Sequence, residues 1–187
     1  MVKKNACIFI SGNGSNLKSL LKNSRNYSFP INIKLVVSNN VNAKGILFAK
    51  INSIPYLVVN TKKRNFENLI LNEIKKRKIS LICLAGYMKI ISKKFINNFD
   101  KIIINIHPSL LPKFKGLNTF ERVLGNKEKK TGCTVHYVNE KLDNGRTIIQ
   151  KKFFLENNDN VKKIKEKTQK LEHVAYSEAI IKMFRGN

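Results

Sequence analysis

The sequence predicts an α/β fold: a single-domain, Rossmann-like, mostly parallel twisted sheet with helices on both faces and an antiparallel edge. Three observations support this prediction. In the first half, short apolar runs alternate with amphipathic runs of helical length, which is the βαβα order of a parallel sheet. The most continuous apolar runs, 79–85 and 101–106, are typical of strands covered on both faces. Two further strand-like runs, 133–138 and 146–154, flank a turn-rich segment and indicate an antiparallel pair.

The individual elements follow from the spacing of the apolar residues. Strands are predicted over residues 5–11, 32–38, 55–59, 79–85, 101–106, 133–138 and 146–154. Helices are predicted over approximately residues 16–22, 43–51, 64–78 and 160–184. The closing helix has an expected apolar stripe formed by Val161, Ile164, Leu171, Val174, Ala175 and Ile181. Because no repeat or linker divides the 187 residues, we expect one domain over 1–187.

Composition and charge restrict the class of protein. The chain is 42% hydrophobic and has 36 Lys and Arg against 12 Asp and Glu, for a net charge of +24. Because the basic residues are spread along the whole chain, we favour a solvated basic surface over a nucleic-acid site. No apolar run has the length of a membrane span, and the three separated cysteines suggest neither disulfides nor metal ligands. We expect a cytoplasmic enzyme or binding protein with no nucleic-acid or membrane partner.

A glycine-rich turn, Ser-Gly-Asn-Gly-Ser-Asn at 11–16, connects the first predicted strand to the first predicted helix. Its glycines permit a tight turn, and the free N–H groups at the start of the helix attract an anion. Either Ser15 or Asn16 is a candidate cap for that helix. The turn has neither a third glycine nor a Lys-Ser/Thr pair, so it is not a dinucleotide or Walker motif. A phosphate-binding loop and a plain strand–helix connection both remain open.

The segment 103–116 is the most informative part of the chain and holds two of its four prolines. Asn105 and His107 are two residues apart, so they share one face at the carboxyl end of a buried strand. Ligands of open α/β sheets bind at that edge. An amide and an imidazole there are able to polarise a carbonyl group and move a proton. The alternative is a histidine that bonds only to the backbone at the strand end.

Three other positions have patterns that fit either a structural or a functional role. Asp143 lies in a turn with Gly145, where it is a turn former or a carboxylate that raises the pKa of a neighbouring histidine. Glu172 and His173 lie beside the apolar stripe, a position typical of a solvated flank. His136 lies inside a predicted strand, as a packed histidine would. No group of His, Cys and acidic residues has the spacing of metal ligands, so we expect no metal.

Five segments, taken together, resemble the glycinamide ribonucleotide formyltransferases. They are ISGNGSNL (10–17), LAGYMKI (84–90), NIHPSLLPKFKG (105–116), GCTVHYVNEKLDNG (132–145) and QKLEHVAYSEAI (169–180). The resemblance runs in order along nearly the whole chain. The NIHPSLLP core by itself is also similar to formyltetrahydrofolate hydrolase and to methionyl-tRNA formyltransferase.

The resemblance implies a formyltransferase fold and a specific reaction. The formyl group of 10-formyltetrahydrofolate, a donor substrate, passes to the amine of glycinamide ribonucleotide in purine (IMP) biosynthesis. The residues that match the family's catalytic trio are Asn105, His107 and Asp143. Their expected roles are that Asn105 and a protonated His107 donate hydrogen bonds to the oxygen of the tetrahedral intermediate, and that Asp143 raises the pKa of His107. The resemblance also implies a cis peptide bond at Leu111–Pro112. Both substrates are anionic, which gives the basic surface a modest use.

The resemblance assigns binding residues as well. For the ribonucleotide, the phosphate loop is matched by Gly14, Ser15 and Asn16, and Glu172 matches the residue on the amine and ribose side. For the folate, the matching residues are Lys63 or Arg64 at the glutamate tail, then Met88, Lys89, Ile90, Ile91, Asn105, Asn139, Glu140, Lys141, Leu142 and Asp143. Lys89 stands where the family commonly has arginine, which removes a planar bidentate donor.

Two related enzymes and one unrelated class are the competing interpretations. The hydrolase passes the formyl group to water and has an additional N-terminal domain, and the tRNA enzyme has a C-terminal RNA-binding domain. In 187 residues we expect neither. A basic nucleic-acid-binding protein would explain the charge but not the motifs. The sequence leaves a monomer and a homodimer equally open.

Overall fold

The computed structural model describes residues 2–184, which form one seven-stranded sheet with helices packed on it. The strands are β1 Lys4–Ile10, β2 Ile31–Ser38, β3 Tyr56–Val58, β4 Leu81–Leu84, β5 Ile102–His107, β6 Lys130–Tyr137 and β7 Thr147–Phe154. The helices are α1 Ser15–Ser24, α2 Gly45–Ile51, α3 Phe66–Lys76, α4 Lys93–Phe99, α5 Thr119–Gly125 and α6 Val161–Phe184. Within residues 2–184, no helix combines the length and apolar character that crossing a membrane requires.

The strand order is β3-β2-β1-β4-β5-β6-β7. The first five strands in this order are parallel, and β6 and β7 are each antiparallel to their neighbour. The predicted fold class, with its antiparallel edge, is therefore confirmed. Because β1 and β5 run in the same direction, the loop after β1 and the end of β5 lie at the same edge of the sheet. This edge brings the turn at Gly14 and the side chain of His107 to one end of the molecule.

The alternation of side chains along each strand divides the core into two layers. On one face, Ile8 and its strand neighbours pack with α1, α2 and α6, which contribute residues such as Leu20 and Tyr176. On the other face, Phe9 packs with α3 and α4, which contribute residues such as Ile70. Both faces of β1 and β4 are therefore covered, which explains why these strands read as continuous apolar runs. Cys7, Cys83 and Cys133 are buried without disulfides.

All the predicted strands and helices exist, and none of their ends is displaced by more than three residues. Two seven-residue helices, α4 and α5, were not predicted. At the start of α4, the Ser92 hydroxyl accepts a hydrogen bond from the Phe95 N–H, so a capping signal was present in the sequence. At the start of α5, Asn118 is in the left-handed region and makes no side-chain cap. Each of these two helices buries only two residues, which is too few for an apolar period to reveal.

The buried stripe of α6 differs from the predicted one. The buried residues are Ile164, Thr168, Ala175, Tyr176, Ala179 and Ile180, whereas Val174 is 47% exposed. Positions 168, 172, 176 and 180 are four residues apart and therefore lie on the same side of the helix. The prediction that Glu172 lies outside the stripe is thus wrong. Tyr176 determines which side of α6 faces the sheet, because its ring is fully buried and its hydroxyl donates to the Leu84 carbonyl at 2.9 Å.

Candidate active site

The last residues of β5 form the centre of the candidate site. Asn105 and His107 lie on the same face of this strand, as their spacing predicts, and His107 is 5% exposed. The antiparallel neighbour β6 places His136 directly opposite Asn105 in the pairing register. Strand alternation therefore brings two histidines and one amide onto a single patch of the sheet.

Asp143 reaches this patch from the turn that joins β6 to β7. Its Oδ2 accepts a hydrogen bond from the Gly116 N–H at 2.9 Å and lies 3.3 Å from His107 Nδ1. Its Oδ1 lies 3.4 Å from Asn105 Nδ2. The turn folds tightly on β6, because a Cβ at Gly145 would lie 1.6 Å from the Tyr137 carbonyl oxygen. The structure thus brings Asn105, His107 and Asp143 together, and the Asp143 side chain makes contacts well outside its own turn.

The loop after β5 supplies the second partner of His107. The Phe114 carbonyl oxygen lies 2.8 Å from Nε2, so Nε2 carries the proton and donates it. Nδ1 then faces the carboxylate of Asp143. The same loop contains the Leu111–Pro112 peptide bond, which is cis as the resemblance implies. Both ring nitrogens of His107 therefore face groups that only accept hydrogen bonds.

The pKa of His107 does not follow the prediction. Burial lowers it, and this effect outweighs the Phe114 carbonyl and the Asp143 carboxylate, which both raise it. The net pKa lies below the ordinary value of 6.5 rather than above it. The carboxylate acts in the predicted direction, but the depth at which the ring is buried does not follow from the sequence. His107 is therefore mainly neutral at neutral pH in this state.

His136 is a neighbour of the trio that sequence reasoning left out of the site. Its Nδ1 lies 2.8 Å from the Tyr137 carbonyl oxygen, which requires the proton to be on Nδ1 in the neutral ring. Its Nε2 then accepts from Asn105 Nδ2 at 3.3 Å and lies 3.7 Å from Asp143 Oδ1. His136 thus orients the Asn105 amide. The signal was its position in an antiparallel neighbour, opposite Asn105, which depends on a register that the sequence does not give.

The charge of Asp143 is supported by its surroundings. Burial alone raises the pKa of this carboxyl, but His136, the Gly116 N–H and His107 together lower it below its usual value. Asp143 is therefore ionised at neutral pH while it is buried. Among residues 2–184, no group of three or more His, Cys, Asp or Glu side chains is arranged to hold a metal ion.

The glycine-rich turn lies at the same edge of the sheet, after β1. Gly14 has a φ of +71°, and a Cβ there would lie 2.6 Å from the Cα of Gly45 at the start of α2. The Gly45 N–H also donates to the Gly12 carbonyl at 3.0 Å. A Cβ at Gly12 would meet nothing within 4 Å, so only Gly14 is required by the packing of the chain itself. The turn is thus fixed by a backbone contact between two glycines.

The side chains of Ser15 and Asn16 contact α6 instead of capping α1. The Ncap residue is Gly14, without a side-chain cap, so the predicted cap is wrong. Asn16 Nδ2 donates to Glu172 Oε2 at 2.8 Å, and Gln169 Nε2 donates to Ser15 Oγ at 2.8 Å. Burial raises the pKa of Glu172, and the bond from Asn16 opposes this only in part. Glu172, on α6, is therefore held against the glycine-rich turn by a hydrogen bond, and the solvated-flank interpretation is wrong.

Two segments of the predicted folate site form an open rim near the trio. Met88 and Ile90, which follow β4, are 70% and 71% exposed, and Leu142 in the β6–β7 turn is 55% exposed. An ion pair of 2.9 Å between Lys93 Nζ and Glu140 Oε2 joins the two segments. The neighbouring predicted residues are Lys89, Ile91, Asn139 and Lys141, which are exposed or half-buried.

The predicted contacts for the folate tail lie further away. Lys63 and Arg64 are exposed in the loop after β3, at the opposite side of the sheet from β6. Three strands separate β3 from β5, which corresponds to about 19 Å across the sheet at the usual strand spacing. These two residues are therefore not brought together with the trio. A ligand would have to span the strand ends to contact both.

The fold and these groups define a protein of the formyl-transfer class, and comparison with known proteins agrees. A model of the family described as formyl transferase matches residues 4–180, so the chain belongs to the formyl transferase family.

Among curated relatives, the phosphoribosylglycinamide formyltransferase of Haemophilus influenzae is 36% identical over 187 residues, covering 97% of this chain and 87% of that protein. The trifunctional purine biosynthetic protein adenosine-3 of Chironomus tentans is 36% identical over 184 residues. That match covers 95% of this chain but only 13% of the longer protein. Among solved structures, the phosphoribosylglycinamide formyltransferase of Bacillus halodurans has a TM-score of 0.93 at 30% identity. It covers 98% of this chain and 96% of that one.

Proposed function

We propose that this protein is a phosphoribosylglycinamide formyltransferase. It transfers the formyl group of 10-formyltetrahydrofolate to the amine of glycinamide ribonucleotide in purine biosynthesis. The observation that carries the proposal is the cluster of Asn105, His107 and Asp143 beside the Gly14 turn, in a chain that matches enzymes of that name over nearly its whole length. An amide, an imidazole and a buried carboxylate are the groups that acyl transfer to an amine requires.

The first step is attack of the neutral amine on the formyl carbon, which develops negative charge on the formyl oxygen. The Asn105 amide is the proposed hydrogen-bond donor to this oxygen. Its contact with Asp143 Oδ1 is long, at 3.4 Å, so the substrate is able to replace it at small cost. His136 keeps the amide in the donating orientation through the 3.3 Å contact. Such fixed donors commonly make the largest single contribution in acyl transfer.

The second requirement is a route for the proton of the attacking amine. His107 is proposed to accept this proton at Nδ1, directly or through a water, because that nitrogen faces the Asp143 carboxylate at 3.3 Å. The imidazolium that forms then has the carboxylate and the Phe114 carbonyl as partners. When the intermediate collapses, the same proton passes to the departing folate nitrogen. The imidazole thus begins and ends the cycle neutral, which agrees with its lowered pKa.

The substrates are proposed to occupy opposite sides of the trio. The ribonucleotide phosphate would bind the N–H groups of Gly14, Ser15 and Asn16, and Glu172 would bind the amine and ribose side. The folate ring would lie on the exposed rim that includes Met88, Ile90 and Leu142, with its anionic tail toward Lys63 or Arg64. This leaves the formyl carbon between them, at Asn105 and His107. We propose a cytoplasmic enzyme with small-molecule partners, monomeric or homodimeric.

The deciding experiment is to incubate the purified protein with 10-formyltetrahydrofolate, with and without glycinamide ribonucleotide. We expect donor consumption to depend on the acceptor and to yield formylglycinamide ribonucleotide. The Asp143→Asn variant serves as the control for catalysis by this site. Donor loss at the same rate without the acceptor would identify a formyltetrahydrofolate hydrolase instead.

A further inference from the structure

Ser11, the last residue before the glycine-rich turn, connects the two sides of the site. Its hydroxyl donates to Asn39 Oδ1 at 2.5 Å and accepts from the Met88 N–H at 2.7 Å. Its backbone N–H donates to the Gly86 carbonyl at 3.2 Å, and its own carbonyl accepts from Asn40 Nδ2 at 3.0 Å. One residue therefore ties together the carboxyl ends of the three adjacent strands β2, β1 and β4.

The two segments that meet at Ser11 belong to different substrates in the proposed function. Residues 12–16 form the ribonucleotide turn, and residues 86–92 form one wall of the folate rim. The turn is braced on its other side by the contact between Gly14 and Gly45, so it does not yield freely when a phosphate is bound. The far end of the second segment is also held, because the Glu67 carboxylate accepts hydrogen bonds from the N–H and the hydroxyl of Ser92.

We propose that Ser11 is a positioning residue that couples the two substrate sites. Because the 12–16 turn is braced, a shift on ribonucleotide binding reaches Ser11 instead of being absorbed within the turn. The Ser11 hydroxyl transmits this shift to the Met88 N–H and hence to the folate wall. The inference rests on the proposed function, since it takes the two segments as the two substrate sites. The expected result is positive cooperativity: each substrate binds more tightly when the other is present. Coupling free energies are reciprocal, so the factor must be the same in both directions.

A hydroxyl is suited to this role because it donates and accepts at the same time. The bond it donates to Asn39 polarises the oxygen and strengthens the bond it accepts from Met88. Met88 is 70% exposed, so water is able to replace the lost acceptor when the hydroxyl is removed. Loss of the hydroxyl should therefore weaken the coupling without unfolding the site.

The test uses two variants of matched shape. Ser11→Thr keeps the hydroxyl, and Ser11→Val replaces it with a methyl group of similar size. Calorimetry measures the Kd of tetrahydrofolate, which lacks the formyl group and binds without reacting, with and without saturating glycinamide ribonucleotide. We expect about a tenfold tighter Kd with ribonucleotide for the natural protein and Ser11→Thr, within the usual range of coupling factors. For Ser11→Val we expect the factor to fall to about twofold or less, since only the backbone bond from Ser11 to Gly86 then links the two segments.

A further variant tests whether the effect is specific to Ser11. The Ser24 hydroxyl donates to the Leu21 carbonyl at the other end of α1, so Ser24→Ala should keep the full coupling factor. Equal folate affinity with and without ribonucleotide in the natural protein would overturn the inference but leave the proposed function intact. A full coupling factor in Ser11→Val would do the same. Failure of the natural protein to bind either substrate would overturn the proposed function and the inference together.

Discussion

The two sides of the candidate site are built in opposite ways. On the ribonucleotide side, the chain is packed tightly: Gly14 leaves no space for a Cβ, and Asn16 and Glu172 join two helices by a hydrogen bond. On the folate side, Met88 and Ile90 extend into solvent, 70% and 71% exposed. In the proposed function, the difference means that one side would recognise its ligand with fixed polar groups, while the other would provide apolar surface that a ligand covers.

This contrast has consequences for substitutions. A change on the packed side alters groups that support the fold and that are proposed to bind the ribonucleotide, so both the melting temperature and the ribonucleotide KM should change. A change on the open rim alters only the area that the ligand covers, so stability should be unaffected. The trio lies between the two sides and should be the most sensitive part.

The largest effect is expected for Asp143→Asn, which keeps the shape of the side chain and removes its charge. We expect kcat to fall by about two to four powers of ten, as for loss of a proton-transfer or oxyanion group. The KM for folate should change much less, because the rim is left in place. Steady-state kinetics with both substrates measure this. A kcat within about threefold of the natural protein would make Asp143 a turn former only.

The same variant provides a titration test. The His107 imidazole in the natural protein should titrate below 6.5, and still lower in Asp143→Asn, because the attractive partner of the cation is lost. Because its folded pKa is depressed, His107 contributes stability above its unfolded value of about 6.5, and this is lost as the pH falls through the folded value. NMR of the imidazole signals follows both proteins. An identical midpoint in the two would contradict the role of the carboxylate.

The sequence predicted the fold, and the placement of three candidate site residues, because these depend on local patterns, whereas the other site residues were assigned only by the resemblance. Strand alternation put Asn105 and His107 on one face, and the βα order put Gly14 at the same edge. The contact between Gly14 and Gly45 joins residues 31 positions apart, so no local pattern contains it. The position of His136 depends on strand register, and the pKa of His107 depends on burial, which only the packed structure gives. Glu172 was misplaced because the buried side of α6 includes the polar residues Thr168 and Tyr176, whereas the apolar Val174 is exposed.

The next largest effect is expected for Gly14→Val. A Cβ at this position would clash with the backbone of Gly45, and valine avoids a positive φ, so the turn must shift. Overpacking of this kind costs about 1–3 kcal/mol. If the shifted turn loses that much of its binding energy for the phosphate, the ribonucleotide KM rises by about 10- to 100-fold, and the folate KM rises far less. Gly12→Val is the matched control for stability, since its Cβ has open space within the protein. Equal effects of Gly14→Val on both substrates would mean that the turn is misassigned.

A smaller loss of activity is expected for Glu172→Gln, together with a gain in stability at pH 7. The amide keeps the shape but weakens the hold on the substrate amine, so the ribonucleotide KM should rise about tenfold, as for loss of a charged hydrogen bond. Burial raises the folded pKa of Glu172, so its stabilising contribution is present below about 4.5 and lost as the pH rises through the folded value. The variant should therefore melt at a higher temperature than the natural protein at pH 7, and the difference should vanish near pH 4. Thermal unfolding at both pH values measures this, and a lower melting temperature at pH 7 would show that the charge stabilises the packed side.

The smallest effect is expected on the open rim, for Ile90→Ala. Because Ile90 is 71% exposed without ligand, the substitution removes no core contact and should leave the melting temperature unchanged. When folate covers the Ile90 side chain, binding gains about 0.8 kcal/mol for each buried methylene. Because the side chain would be covered only in part, we expect the alanine variant to lose about 1 kcal/mol of folate-binding free energy. The folate KM should therefore rise about fivefold, with kcat and the ribonucleotide KM unchanged. Ile51→Ala is the matched control, since Ile51 is 70% exposed at the end of α2 and should leave all three constants as they are. If both variants behave alike, Ile90 lies outside the folate site, and the apolar rim must be sought among the remaining exposed residues of the β6–β7 turn.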